Sequence, residues 1–188
     1  MKQARTLQEV ELRTVLKRVL ARRYAARDRA VLALSYYAGL RAHEIAWLAL
    51  RDVVGPEGAV LREVALSAAQ TKGRQARTIF INERLRKELA AYLEFQPGMR
   101  PEDPLFRTQK GNAFTPNAMA HLFKAIYADC GIAGASSHSG RRTFITNLAA
   151  KGVSVRVLAA LAGHASIGTT QRYIDVNDNQ LRAAVELV

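Results

Sequence analysis

His138 with Arg141, then Gly163-His164, then Tyr173 follow one another closely in the last third of the chain. Side chains able to bind phosphate oxygens, followed by a phenol able to attack phosphorus, are the parts needed to cut a phosphodiester through a covalent protein intermediate. That chemistry has a demanding condition. A free phenol titrates near pH 10 and is only about one part in a thousand ionised at neutral pH, so the attack needs nearby cations or a base. Arg172 directly precedes the tyrosine, and the whole chain is rich in arginine.

Each piece also has an ordinary reading. A His and an Arg three apart share a helix face and are common on helix surfaces. A His after Gly at an interhelical turn can be satisfied by backbone, and a Tyr near the end of a short polar helix commonly packs at the surface. Ser136 and Ser137 offer caps for a helix N-terminus, itself an anion site through its free N–H groups. Gly140 inside that helix costs about 1 kcal/mol relative to Ala, which points to a close approach of the backbone or to a tolerated local fault.

The elements that must position these residues can be read from spacing. Thr6 with Glu9 predicts a capping box opening an amphipathic helix that carries Leu7, Val10, Leu12, Val15, Leu16, Val19 and Leu20. A second helix is predicted over 27–38, stopped by Gly39, and a short third over 41–48 with Arg41 at its start. Beyond the Gly55-Pro56-Glu57-Gly58 turn, the segments around Val60, Val64 and Leu66 and from Thr78 to Ile81 read as strands. They are joined through the polar run Gln70-Thr71-Lys72-Gly73-Arg74. Helices follow over 83–95 after an Asn82 cap and over 115–129 from Thr115-Pro116. Four short helices are predicted over 138–150, 154–162, 166–174 and 178–187, punctuated by Gly152, Gly163 and Asn177. The expected fold class is α+β, mainly helical, with a small antiparallel sheet, as a single domain over 1–188.

Lys and Arg number 28 against 16 Asp and Glu, a formal net charge of +12. Arg outnumbers Lys, which suits bidentate phosphate contacts and points to a polyanionic partner, although a basic surface alone would have the same composition. Cys130 is the single cysteine, which excludes an intrachain disulfide, a zinc–thiolate cluster and a redox pair and fits a reducing cytoplasm. No stretch approaches the ~20 apolar residues of a membrane span and the first residues form no apolar leader, so a soluble, untargeted, cytoplasmic protein is expected.

Joined to two segments of the first half, the cluster resembles something specific. AGLRAHEI around Arg41, TKGRQARTIFI around Lys72, HSGRRTFIT from His138 and LAGHASIGTTQRY through His164 to Tyr173 occur in this order over nearly the whole chain. This is similar to the catalytic domain of the tyrosine recombinase (phage integrase) family. The resemblance implies that Arg41 and Arg141 grip the non-bridging oxygens of the scissile phosphate, where losing one preorganised donor costs about 10²–10³ in rate. It implies that Lys72 protonates the departing 5′ hydroxyl, a role worth about 10²–10⁴. His138 would assist proton transfer at the tyrosine and His164 would hydrogen-bond the phosphate. Tyr173 would attack to leave a 3′-phosphotyrosyl enzyme. Glu44 would orient Arg41 or His138, or pair on the surface at i,i+3, and Arg74, Arg142 and Arg172 would contact DNA.

By the same resemblance double-stranded DNA is the partner, bound by a monomer that becomes a homo-tetramer on the DNA, and no cofactor or metal is used. Arginines take the role that metal ions have in many phosphoryl-transfer sites, and the sequence holds no Gly-x-x-x-x-Gly-Lys-Ser/Thr loop, dinucleotide fingerprint or two-metal carboxylate cluster. Ser139-Gly140 stands where many members have Asp-Leu-like residues. Most members also carry a separate N-terminal helical domain, and the segment ahead of the second helix is too short for one. The expectation is therefore an excised or naturally short catalytic domain, helped by an accessory DNA-binding domain or protein. Lys2, Arg5, Arg13, Lys17, Arg18, Arg22 and Arg23 on the first helix would substitute in part for it, or form a solvated face. The tail over 178–188, with Leu181, Val185 and Leu187, would dock on a neighbouring protomer or on its own core.

Two other functions stay open at this point. VSVRVLAALAGHASIGTTQRYI could serve as the helix-turn-helix of a non-catalytic DNA-binding regulator, which leaves Arg41, Lys72 and Tyr173 unexplained. A type IB topoisomerase-like enzyme would use the same chemistry to relax supercoils.

Overall fold

The middle of the molecule is built on α2 (Ala25–Tyr37), in which Ala30, Val31, Leu32, Ala33, Leu34 and Ser35 are all buried. A helix apolar on every side must be covered on every side, and α5 (Glu83–Leu93) and α7 (Ser139–Ala150) pack against it. The computed structural model describes residues 4–71, 73–174, 181–182 and 185–186. Lys72 and most of the predicted 178–187 helix lie outside the described residues, and within the described part of that helix Leu181 and Val185 are exposed.

Ahead of α2, α1 (Glu9–Arg18) starts later than the Thr6–Glu9 pair predicts. The Leu7 N–H donates to the buried Thr143 Oγ1 of α7 at 2.8 Å, which keeps this stretch extended; the cap is then made by Gln8, whose N–H donates to Glu11 Oε2 at 2.9 Å. Most of the cations named on this segment are engaged within the chain. Arg5 pairs with Glu11, Arg13 with Glu9, Arg22 with both Asp28 and Asp129, and Arg18 donates to the Cys130 carbonyl. That favours the solvated, self-neutralised face over a substitute DNA arm.

Gly39, at φ +65°, turns the chain out of α2 and into α3 (Ala42–Ala46) and then α4 (Leu50–Val53), a single turn that periodicity did not reveal. Only glycine fits there on two counts: the left-handed φ, and a Cβ that would lie 2.6 Å from Phe144 Cδ1 of α7. The crossing of α7 over this turn is what brings the first third of the chain to the last. β1 (Glu63–Leu66) and β2 (Arg77–Phe80) form an antiparallel pair with Val64 opposite Ile79, and Val64, Leu66 and Ile79 point into the core.

The caps of α5 and α6 (Pro116–Asp129) are those the sequence predicts: Asn82 accepts from the Leu85 N–H and Thr115 from the Ala118 N–H. After α7 come α8 (Val155–Ala162), capped by Ser154, and α9 (Ile167–Gln171). Gly163 joins these two helices in the left-handed region at φ +58°. No helix among the described residues is long and apolar enough to cross a membrane.

Candidate active site

Arg141 is set into the molecule rather than laid on it, with 4% of its surface exposed. Its Nη1 donates to the Gly39 carbonyl at 2.7 Å, and its Nη2 donates to the Ala162 carbonyl and lies 2.9 Å from His164 Nε2. One guanidinium therefore ties the α2–α3 turn to the end of α8. Burial pushes its pKa down to about 9, with the charges of Arg41 and Arg77 adding to the effect, so it remains a cation at neutral pH.

His164 reads the state of that cation. Arg141 has no acceptor to offer, so the imidazole Nε2 must accept, and the proton sits on Nδ1, 2.8 Å from the buried Thr170 Oγ1. Burial, reinforced by the positive charges of Arg141, Arg41, Arg77 and Arg172, lowers its pKa to about 4. The histidine is neutral near pH 7, its tautomer fixed by Arg141 and accepted by the Thr170 hydroxyl.

Tyr173 sits just beyond α9, its N–H bonded to the Thr170 carbonyl at 2.9 Å and its carbonyl accepting from Thr146 Oγ1 at 3.4 Å. Its ring stacks on His164 with centroids 5.7 Å apart and an interplanar angle of 20°, and the Arg142 guanidinium lies 5.5 Å from its ring centre. Tyr173, Arg172, Arg142, Arg141, His138, His164 and Arg41 line one cavity of about 320 Å³. His138 is the exposed residue at the N-terminus of α7, where its backbone N–H bonds to Ser136 Oγ at 3.3 Å.

Arg41 precedes α3, as the sequence predicts, and its backbone N–H and Nη1 both donate to Glu44, at 2.7 and 3.0 Å. Glu44 is fully buried and also receives Arg77 Nη2 at 2.8 Å. Burial would raise the carboxyl pKa, but Arg77 and the bond from the Arg41 N–H outweigh it and hold the group ionised. Of the two partners the sequence offers Glu44, the structure brings Arg41.

The structure thus draws together seven residues singled out from sequence: Arg41, His138, Arg141, Arg142, His164, Arg172 and Tyr173. Lys72 lies outside the described residues; Arg74, beside it, is exposed at φ +50°, the one non-glycine among the described residues with a positive φ. Gly140 proves to mark a close approach of protein rather than of ligand: a Cβ there would lie 2.6 Å from Ser35 Oγ of α2. Sequence reasoning missed Arg77 and Thr170. Thr170 carried a weak signal, its place one turn before Tyr173, while Arg77 falls just ahead of the predicted Thr78–Ile81 strand and carried none.

Residues 5–180 match the Phage integrase family, and the chain belongs to that family. Among its relatives are a tyrosine recombinase XerC from Pelobacter propionicus, 31% identical over 159 residues, and one from Methylobacterium sp., 35% identical over 163 residues. The matches cover 84% and 86% of this chain but only 50% and 49% of those proteins, so the chain spans about half the length of the curated relatives it matches. In fold it is similar to the crystal structure of XerA recombinase, with a TM-score of 0.78 at 24% identity over 99% of this chain and 66% of that one. It is likewise similar to the Tn1549 transposon integrase in complex with a circular intermediate DNA, with a TM-score of 0.81 at 19% identity over 100% of this chain and 67% of that one.

Proposed function

We propose that this chain carries the catalytic machinery of a site-specific DNA recombinase that breaks and rejoins strands through a 3′-phosphotyrosyl intermediate. The observation that carries the reading is the placement of Tyr173. A phenol packed between a neutral imidazole and a guanidinium lines a cavity shared with Arg41 and Arg141, which lie far apart in the sequence. In this reading Arg41 and Arg141 hold the non-bridging oxygens of the phosphate as charge develops there. His138, at the rim, takes part in removing the phenol's proton, and Lys72 delivers a proton to the departing 5′ hydroxyl.

His164 enters with a modified role. With Nε2 accepting from Arg141, it orients that guanidinium and supports the tyrosine ring; it reaches a phosphate as a donor only after exchanging its tautomer. Because one phosphoester is formed for each one broken, resealing needs no nucleotide. Arg74, Arg142 and Arg172 would contact backbone phosphates. The protein would bind double-stranded DNA as a monomer that assembles to a tetramer on two sites, working in the cytoplasm with whatever further DNA-binding domain or protein accompanies it.

The test is a pool of nicked suicide duplexes with randomised sequence around the nick, incubated with the protein in EDTA. An SDS-resistant protein–DNA adduct is expected, and none from Tyr173→Phe. An adduct that persists in the phenylalanine variant removes Tyr173 as nucleophile. Selective binding without adduct would make the protein a regulator, and plasmid relaxation without exchange between two recovered sites would make it a topoisomerase.

A further inference from the structure

Arg77 stands behind the cavity, its side chain only 9% exposed. Its Nη2 donates to Glu44 Oε2 at 2.8 Å, while Nη1 donates to the Leu161 carbonyl at 2.7 Å near the end of α8. The other Glu44 oxygen receives Arg41 Nη1 at 3.0 Å. Three residues beyond Leu161 comes His164, reached through Gly163, where a Cβ would lie 2.5 Å from Arg77 Cδ and 2.9 Å from its Nε. The arginine stem thus fills the space under the turn that presents His164. Two contacts from one planar fork, reaching two elements at once, are within the geometry of a guanidinium and beyond that of an ammonium.

We propose that Arg77 is a positioning residue that fixes the distance between Arg41 and the His164 turn, so that one phosphate meets Arg41 and Arg141 together, without itself touching DNA. This rests on the reading of Tyr173 as nucleophile and adds a part that neither the cavity lining nor the sequence motif singles out. Through Glu44 it holds an arginine from the first quarter of the chain; through the α8 carbonyl it holds the turn before α9. It also adds to the positive field around His164, together with Arg141, Arg41 and Arg172.

The experiment compares wild type, Arg77→Met and Arg77→Lys in two arms. In the first, single-turnover adduct formation on the nicked randomised pool is measured at saturating protein, with binding of the same pool followed by fluorescence anisotropy. Arg77→Met should bind within about twofold of wild type yet form adduct roughly 50- to 100-fold more slowly, the size expected of a misplacement near 1 Å. Arg77→Lys keeps the charge, guards against simple unfolding, and should recover no more than about a tenth of the wild-type rate, because an ammonium cannot hold both partners. Weakened binding with an unchanged saturated rate would make Arg77 a DNA contact and overturn the proposal, as would full recovery by lysine. In the second arm, NMR follows the His164 ring in the DNA-free proteins, where Arg77→Met should show a raised titration midpoint and Arg77→Lys shifted ring resonances. An unchanged midpoint and unchanged ring shifts overturn the proposal even if no adduct forms in wild type, a result that would instead sink the nucleophile assignment.

Discussion

Arg141 and Tyr173 line the same cavity and are held in opposite ways. Arg141 lies in the first turn of a twelve-residue helix packed on α2, and its guanidinium is pinned by two backbone carbonyls and an imidazole. Tyr173 follows a five-residue helix, is half-buried, and is held at the ring by stacking on His164 and by the Arg142 cation. Stabilising charge in a transition state needs donors that do not reorganise, which is what burial in a packed core supplies. A nucleophile must approach and later leave phosphorus, and a short helix with few anchors allows that movement. The grip is built as part of the core and the attacking group is hung from its edge.

The largest expected effects separate these two regions by kind. Arg141→Ala should lose at least about 10²–10³ in adduct formation. It should also destabilise the fold by roughly 1–3 kcal/mol for each buried carbonyl left without its donor. Tyr173→Phe should lose all adduct while changing stability by less than about 0.5 kcal/mol, as expected of a change that removes only a hydroxyl and keeps the ring. Urea denaturation of both variants checks the contrast: equal losses of stability would mean that the rim is as much a part of the core as the base.

A smaller effect comes from the helix that carries Arg141. An alanine at 140 would gain about 1 kcal/mol of helix propensity, yet its Cβ would stand 2.6 Å from Ser35 Oγ and 3.0 Å from Ser35 Cβ inside the packed α2–α7 contact. Overpacking of this kind costs about 1–3 kcal/mol, so Gly140→Ala should be net destabilising and should shift Arg141 away from the Gly39 carbonyl. Adding Ser35→Ala removes the nearest atom and should restore part of the loss. If the two changes are merely additive in thermal denaturation, the contact is not what requires glycine there.

The same division explains what could be read from the sequence. Elements with local signals were legible: Asn82, Thr115-Pro116 and Ser154 start helices, Gly39 and Gly163 end them, and the alternation of Val64, Leu66 and Ile79 marks the hairpin. Every cavity residue named from the ordered motif and described by the structure reached the cavity or its rim. What stayed hidden depends on partners far along the chain. The cap of α1 moved because Leu7 is held by Thr143, 136 residues away, and Arg77, just ahead of the predicted strand, drew no notice because its partner Glu44 is 33 residues before it. Gly140 signalled a close approach, but only the fold could say that Ser35 was the neighbour.

The smallest effect tests the residue that joins the two regions. His164 touches Arg141 on one side and Tyr173 on the other, and its pKa is lowered to about 4 from an ordinary 6.5. Between those values the unfolded chain binds a proton that the folded chain refuses, so stability rises with pH in that window. The contribution of the neutral ring is complete above about pH 6.5 and is lost progressively as the pH falls towards 4. Wild type should therefore lose stability from pH 7 to pH 5 more steeply than His164→Gln, with the difference flat above pH 7. This upper part of the window avoids Glu44, whose lowered pKa places its own loss of stability below the ordinary carboxylate range. Parallel stability curves from pH 7 to pH 5 would mean that His164 can take up a proton without leaving Arg141, and that grip and nucleophile are not coupled through its ring.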